Sequence, residues 1–445
     1  MKACFAILFT ILFAAPALSQ ELQTAPPDVY EQGASQLLAA MQEGTADDNM
    51  EIFTEELKAA LSSLKLQDLW AQLQQQVGSF RQISRYLHEE SGEYHVVMAV
   101  TEFSNMELAL RLVYDPSMKI AGLQFVQAPP LTFTPAPAYA DTTRFIETEL
   151  AIDCGDIQLP ALLAMPRSES LVPLVVLVHG SGPNDIDETI GPNKPFRDIA
   201  WGLATQGIAV LRYEKRTKNK VTSLDMKTMT PWEETGMDAV SAAKQAAGLE
   251  GVDPQRIFVL GHSLGGMMAP EIARQSGSLA GIILLGGNSG KLYDIIIRQY
   301  EHLAAIQDPD NAHGTREETE KIRQKAALIR SGALTPDTPP EETILNTPAS
   351  YWLYIKDYNQ AETARQLDIP TLILQGERDY QVDMLEYQGW QEALGGRPKV
   401  RMKSYPGLNH LFFHGEGTPK PEEYYQQMNT DVQVIMDISS WIQGI

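Results

Sequence analysis

Gly261-His262-Ser263-Leu264-Gly265-Gly266 is the stretch that decides the fold of this 445-residue chain. An apolar run at 256–260 precedes it, and a helical pattern follows from residue 267. A G-x-S-x-G motif between a strand and a helix is typical of a strained turn that exposes a nucleophilic serine at the edge of a sheet. We expect a Cβ at Gly261 or Gly265 to clash with backbone in this turn. Since an ordinary strand–helix turn also fits the motif, partners elsewhere must decide the role of Ser263.

Apolar runs and helical patterns alternate from about residue 142 to the end of the chain. A hairpin is predicted at 147–152 and 157–165, and further strands at 174–178, 208–213, 257–260, 281–285, 371–375 and 400–405. Helical patterns lie between most of them, at 196–206, 232–248, 267–275, 384–394 and 424–442. Continuous apolar runs are typical of strands buried on both faces of a parallel sheet. The alternation therefore predicts an α/β domain at 142–445 with a doubly wound, mostly parallel sheet.

One long interval, between residues 286 and 368, interrupts this alternation. Its apolar spacing predicts helices at 293–306, 315–331 and 351–366. An insertion at the sheet edge where the nucleophile emerges is typical of a lid. We therefore predict a helical lid over the active site at about 288–366, with a helical insertion that does not contact substrate as the alternative.

The segment before this domain has a different pattern. Helices are predicted at 29–43, 49–63 and 66–77, and strands at 94–103, 106–114 and 120–126, with a turn at Asp115-Pro-Ser-Met118. Helices followed by an antiparallel sheet indicate a small α+β domain at 20–130. A Pro-rich stretch at 131–141, which includes Pro135 and Pro137, is predicted to be a stiff linker.

The first 19 residues have the pattern of a secretory signal peptide. Lys2 precedes an apolar run, and Ala17-Leu18-Ser19 forms a small-x-small cleavage site. We therefore expect a secreted or periplasmic protein without stable membrane insertion after removal of the signal, an uncleaved anchor being the alternative. The net charge of −22 argues against nucleic acid or an anionic membrane surface as a partner. The sequence does not indicate an oligomeric state.

A catalytic serine needs a histidine base, and on a sheet of this type the order along the chain is serine, acid, histidine. Four histidines follow Ser263, namely His302, His313, His410 and His414. The first two lie in the predicted lid, whereas His410 follows the last predicted strand and so returns to the edge that carries Ser263. His410 is therefore the predicted base, with His414 as the alternative.

The acid is expected to leave the preceding strand, at 371–375. Asp379 follows that strand through Gly376, in the loop at its carboxyl end. Glu377 is expected to turn away, and Asp383 to belong to the next helix. Asp379 is therefore the predicted acid, which orients the histidine and stabilises its protonated form.

Acyl transfer also requires hydrogen-bond donors for the developing oxyanion. The backbone N–H of Leu264, next to the nucleophile, is one predicted donor. The second is expected in the loop after the strand at 174–178, where Ser181 is our choice and Gly182 the alternative. His179, in the same loop, is expected to brace it, and His262 to be a packing residue.

No metal and no cofactor are predicted. The glycine-rich stretch at 286–291 lacks the first glycine of a phosphate-binding loop, and Leu292 stands where such a loop has Ser or Thr. Neither H-E-x-x-H nor C-x-x-C occurs in the chain.

The sequence resembles the α/β-hydrolase superfamily from about residue 142 onward. Within it, the stretch from His179-Gly-Ser-Gly-Pro to Pro195-Phe-Arg-Asp198, followed by 209–216, resembles a bacterial carboxylesterase group in which a small domain precedes the hydrolase. This resemblance implies a triad of Ser263, Asp379 and His410 and activity on small-molecule esters with short acyl chains. A serine peptidase or amidase on the same fold is one alternative, and a non-catalytic binding protein of this fold is another.

Overall fold

The computed structural model describes residues 29–445 except 49, 62–65, 92–93, 130–132, 219–223, 226 and 307–312. The chain divides into two units, Met1–Leu131 and Thr132–Ile445. The predicted signal peptide lies outside the described residues, as do the first two residues of the predicted linker. No described helix combines the length and the apolar character that crossing a bilayer requires.

The first unit places helices before an antiparallel sheet. Its helices are α1 (Val29–Glu43), α2 (Glu55–Leu61) and α3 (Leu66–Val77). Its strands, in the order in which they pair, are β1 (Phe80–Ser91), β2 (Tyr94–Phe103), β3 (Glu107–Tyr114) and β4 (Ile120–Gln127). Apolar side chains of helices and sheet share one core, among them Leu37, Trp70, Phe103 and Leu110. The predicted α+β architecture is therefore present.

Two elements of this unit differ from the prediction. The strand β1 was not predicted, because register shifts at Phe80/Gln82 and Ile83/Arg85 interrupt the period of two on which strand prediction depends. The predicted helix at 49–63 is wrong in its first part, where a 3₁₀ turn (Met50–Ile52) precedes α2.

The second unit is built on a mixed sheet. Its strands are β5 (Phe145–Asp153), β6 (Gln158–Pro166), β7 (Val172–Val178), β8 (Ala209–Tyr213), β9 (Val252–His262), β10 (Gly281–Leu285), β11 (Thr371–Gly376) and β12 (Val400–Tyr405). In the described part of the chain their order is β12-β11-β10-β9-β7-β8-β6-β5. The hairpin β5–β6 and the pair β6–β8 are antiparallel, and the other pairs are parallel.

Helices cover both faces of this sheet, so it is doubly wound as predicted. Along β7, Leu174, Val176 and Val178 face one core, while Val175 and Leu177 face the other. The first core includes side chains of α5 (Met237–Ala246), α6 (Leu264–Ser276) and α11 (Met384–Leu394), and the second those of α4 (Pro195–Thr205) and α12 (Val432–Gln443). The helix predicted at 424–442 begins later, because Asp431 caps α12 by accepting a hydrogen bond from the Gln433 amide at 2.7 Å.

A helical insertion separates β10 from β11. It contains α7 (Leu292–Ile306), α8 (His313–Ser331), α9 (Ala349–Asp357) and α10 (Gln360–Gln366). The single helix predicted at 351–366 is wrong, because Asn359 caps a new helix by accepting the Glu362 amide at 2.9 Å. Ile322 and Trp352 join the core that contains α6.

Candidate active site

Ser263 occupies a strained turn between β9 and α6. Its φ of 53° and ψ of −116° lie in a region that residues with a side chain rarely adopt. The Ser263 amide donates to the Leu285 carbonyl at 3.0 Å, which fixes the turn to the end of the neighbouring strand β10. The strain predicted from the motif is therefore present, and it holds the serine at the carboxyl end of β9.

Two glycines allow strand and helix to approach each other here. A Cβ built on Gly261 would lie 2.1 Å from the Gly265 carbonyl oxygen. A Cβ built on Gly265 would lie 2.2 Å from the Val178 carbonyl oxygen, at the end of β7. Both neighbours are backbone atoms, so no side-chain rotation could relieve the clash that the motif predicts.

Asp379 and His410 lie in the loops after β11 and β12 and contact each other. The Asp379 Oδ2 atom is 2.6 Å from His410 Nδ1, and both residues are buried. The other carboxylate oxygen accepts the amides of Gln381 and Val382, each at 2.8 Å. Because Nδ1 faces a carboxylate, this nitrogen carries the proton, which leaves Nε2 as the basic atom of the ring.

Backbone contacts bring this pair to the serine turn. His262, which precedes the serine, lies with its Nε2 atom 3.0 Å from the His410 carbonyl oxygen. Gly286 lies against the His410–Asp379 pair, directly after the carbonyl that accepts the Ser263 amide. A Cβ built on Gly286 would be 3.4 Å from His410 Nδ1 and 3.5 Å from Asp379 Oδ2. The structure therefore brings the predicted nucleophile, base and acid to one edge of the sheet.

The alternative acid and base residues have other partners. Glu377 accepts the Ser404 hydroxyl at 2.7 Å, and Asp383 caps α11 and pairs with Arg298 at 2.6 Å. His414 is exposed. His302 contacts the carbonyl oxygen of Pro419 at 2.8 Å, and His313 begins α8.

The backbone amides in the loop after β7 differ in whether they have a hydrogen-bond acceptor. The Gly180 amide donates to Glu188 Oε1 at 2.6 Å, and the Gly182 amide donates to Glu234 Oε1 at 2.9 Å. Between them, the Ser181 amide has no acceptor among the described residues. The Gly182 amide is thus occupied, which favours Ser181, together with Leu264 in the first turn of α6, as the donors for an oxyanion.

A buried ion pair that was not predicted from the sequence supports this loop. Lys215 Nζ donates to the Gly180 carbonyl and to Glu234 Oε1, each at 2.6 Å. Glu234 Oε2 accepts the hydroxyl of Tyr351, on α9 of the insertion, at 2.8 Å. A helix of the predicted lid is therefore linked to the loop through one carboxylate. Lys215 lies in the 209–216 stretch that carries the family resemblance, and this position was the signal in the sequence that could have identified it.

His179 braces the same loop, as expected. Its Nε2 atom lies 2.9 Å from the Asp185 carbonyl oxygen, and its ring packs on Phe196 with centroids 4.8 Å apart. Burial lowers the pKa of His179 to about 4. The ring is therefore neutral near pH 7 and donates from Nε2. Across the described ranges, no group of three or more His, Cys, Asp or Glu side chains could hold a metal ion.

Comparison with known proteins gives two family matches. Residues 173–417 match the family described as Serine aminopeptidase, S33, and residues 34–123 match a Protein of unknown function (DUF3887). The chain is 36% identical to Esterase EstD of Thermotoga maritima over 387 residues, which cover 87% of this chain and 89% of that protein.

Solved structures with a similar backbone include Est1E from Butyrivibrio proteoclasticus, at 18% identity and a TM-score of 0.43 over 66% of this chain and 98% of that one. Proline iminopeptidase of Mycobacterium smegmatis is similar at 18% identity and a TM-score of 0.43, over 67% of this chain and 99% of that one.

Proposed function

The chain belongs to the serine aminopeptidase S33 family of α/β-hydrolases, and from this premise we propose that it is a serine carboxylesterase for esters with short acyl chains. The observation that carries the proposal is the strained Ser263 turn beside the buried His410–Asp379 pair. The similarity to Esterase EstD supports an ester as the bond that is hydrolysed.

In the first step, the Ser263 hydroxyl attacks the ester carbonyl carbon while His410 Nε2 takes the hydroxyl proton. Asp379 stabilises the resulting imidazolium through the 2.6 Å contact with Nδ1. The carbonyl oxygen becomes an oxyanion, which accepts the amides of Leu264 and Ser181. The carbon–oxygen bond to the alcohol then breaks, and the alcohol leaves with the proton from His410.

In the second step, His410 Nε2 takes a proton from water, and the oxygen of this water attacks the acyl-enzyme carbonyl. The same two amides stabilise the second oxyanion. Its collapse breaks the bond to Ser263, which recovers its proton from His410, and the carboxylic acid leaves. Water is the only co-reactant, so the residues of the chain return to their starting state.

A serine aminopeptidase is the second candidate, because the matching family carries that description. Such an enzyme needs a carboxylate that can bind the ammonium group of its substrate. Three buried carboxylates beside the catalytic loops already have partners: Asp379 bonds His410, Glu188 bonds Gly180, and Glu234 bonds Lys215. These contacts favour the esterase. A non-catalytic binding protein would not need the buried His410–Asp379 pair.

The test compares Ser263→Ala with wild type on p-nitrophenyl acetate and butyrate. We expect wild type to hydrolyse both and Ser263→Ala to lose the activity. Ser276→Ala is the control and should behave as wild type. Ser276 ends α6, the helix that Ser263 precedes, and its hydroxyl has no partner among the described residues. Retained activity in Ser263→Ala, or an inactive wild type, would contradict the proposal. Faster hydrolysis of the matching p-nitroanilides would instead support the amidase.

A further inference from the structure

His262 faces a hydrogen-bond acceptor or an anion at each ring nitrogen. Nε2 lies 3.0 Å from the His410 carbonyl oxygen, and Nδ1 lies 2.9 Å from Glu188 Oε2. The contact between Nδ1 and Glu188 Oε2 is an ion pair rather than an aligned hydrogen bond. Neither of these two atoms has a hydrogen-bond partner among the described residues. A neutral imidazole has only one N–H, so it would turn a bare nitrogen toward one of these oxygens. Because Glu188 has a lowered pKa and is ionised, both contacts are attractive only if the ring is an imidazolium.

Glu188 is held in place for this contact. It is 2% exposed and adopts a left-handed backbone conformation with φ of 52°, which is costly for a residue with a side chain. Its second oxygen, Oε1, accepts the Gly180 amide at 2.6 Å. A carboxylate this deeply buried needs compensating charge. His262 supplies that charge: burial raises the pKa of Glu188, but the Coulomb interaction with His262 and smaller effects of neighbouring groups together outweigh it, so the pKa is lowered overall.

The same two side chains contact each segment that carries the chemistry. Glu188 holds the oxyanion loop through Gly180, whose built Cβ would lie 3.2 Å from both Glu188 Oε1 and Ser263 Cβ. His262 is part of the nucleophile turn and contacts the backbone of the base, His410. The pair thus connects the loops after β7, β9 and β12.

We propose that the buried Glu188–His262 ion pair is a positioning device that sets the spacing between the oxyanion loop, Ser263 and His410. The inference rests on the proposed serine mechanism. It assigns a role to two side chains that belong neither to the triad nor to the oxyanion donors. Glu188 and His262 do not touch the reacting atoms in this proposal. They act by holding the residues that do.

The protonation of His262 depends on the groups around it. Burial lowers its pKa, but the charge of Glu188, with a smaller effect of Asp379, raises it overall. The ring of His410 lies 4.7 Å away, centroid to centroid. Beyond Glu188, His179 is neutral and Lys215 is paired with its own carboxylate.

The kinetic test uses Glu188→Gln, His262→Gln and the double variant. Glu188→Gln retains an acceptor for Gly180 and loses the charge, so we expect kcat to fall about 10- to 100-fold with KM within about threefold. The double variant should lose no more than either single variant, because both changes remove one interaction. Glu271→Gln is the matched control: this buried carboxylate of α6 pairs with Arg274, and kcat should be unchanged.

The spectroscopic test is independent of catalysis. In ¹⁵N-histidine-labelled Ser263→Ala protein at pH 7, the His262 ring should show two N–H groups, and Glu188→Gln should convert it to a neutral tautomer. The signal is assigned as the one that His262→Gln or His262→Asn removes. A neutral His262 in the Ser263→Ala protein, or wild-type kcat in Glu188→Gln, would overturn the inference. Ester hydrolysis by Ser263→Ala would instead overturn the proposed function.

Discussion

Gly265→Ala tests whether close backbone packing sets the spacing of the catalytic loops. The added Cβ would lie 2.2 Å from the Val178 carbonyl oxygen and 2.8 Å from that of His179. Since Cβ atoms essentially never approach closer than 3.0 Å, α6 and the end of β7 must separate by at least 0.8 Å. Val178 leads into the loop of Ser181, and Gly265 follows Leu264, so the two predicted oxyanion donors move apart.

The size of the effect follows from this displacement. A misplacement of about 1 Å costs roughly 100-fold in rate, and overpacking costs about 1–3 kcal/mol of stability. We therefore expect Gly265→Ala to lower kcat/KM for p-nitrophenyl acetate about 100-fold and Tm by roughly 2–10 °C. Gly248→Ala is the control, because its Cβ would meet only the Gln245 carbonyl oxygen at 3.5 Å, an ordinary contact. If Gly265→Ala keeps kcat/KM within threefold and Tm unchanged, the reasoning is refuted.

Two further predictions concern buried ionisable side chains. Lys215→Met leaves the Glu234 carboxylate without its cation and should lower the free energy of unfolding by about 3–5 kcal/mol. Adding Glu234→Gln should recover part of this loss in urea denaturation, whereas additive losses would show that the pair is not coupled. Because the pKa of His179 is about 4 in the native state and 6.5 in the unfolded chain, stability should fall by on the order of 3 kcal/mol as pH drops from 6.5 to 4. The variant His179→Gln should show a smaller decrease, whereas His414→Gln, at an exposed position, should behave as wild type. Equal pH dependence of the free energy of unfolding in wild type and His179→Gln would contradict this prediction.

The positions of the three residues proposed as a triad could be predicted because each follows a strand that is visible in the sequence. Ser263, Asp379 and His410 each follow a predicted strand, and the carboxyl ends of parallel strands meet at one sheet edge. Their loops are short, so each residue's place in the chain nearly determines its place in the fold.

The supporting charges could not be predicted in this way. Glu188 and His262 are 74 positions apart in the chain, and a buried glutamate has the same sequence signature as a solvated one. Nothing next to His262 in the sequence indicates an anion, so packing was the natural interpretation. Only the fold shows that its ring faces Glu188 and the His410 carbonyl.

Errors in the predicted elements have similarly local causes. The strand β1 was missed because its register shifts move successive apolar side chains off one face. The helix at 351–366 was predicted as continuous because apolar spacing persists through Asn359, although this residue ends one helix and caps another. Hydrophobic period detects the core-facing side of an element but not the side-chain hydrogen bonds that terminate it.

The buried carboxylates around the site also explain why the Ser181 amide has no acceptor among the described residues. Carboxylates are strong acceptors, so the backbone amides of a loop beside them are expected to donate hydrogen bonds to them. Glu188 takes the amide of Gly180 and Glu234 takes that of Gly182, while His262 and Lys215 balance their charges. The amide between them, that of Ser181, is thereby left over, in a loop whose flanking residues are fixed. An oxyanion at that amide would meet a donor that needs no reorganisation, which is the condition under which electrostatic stabilisation of a transition state is largest.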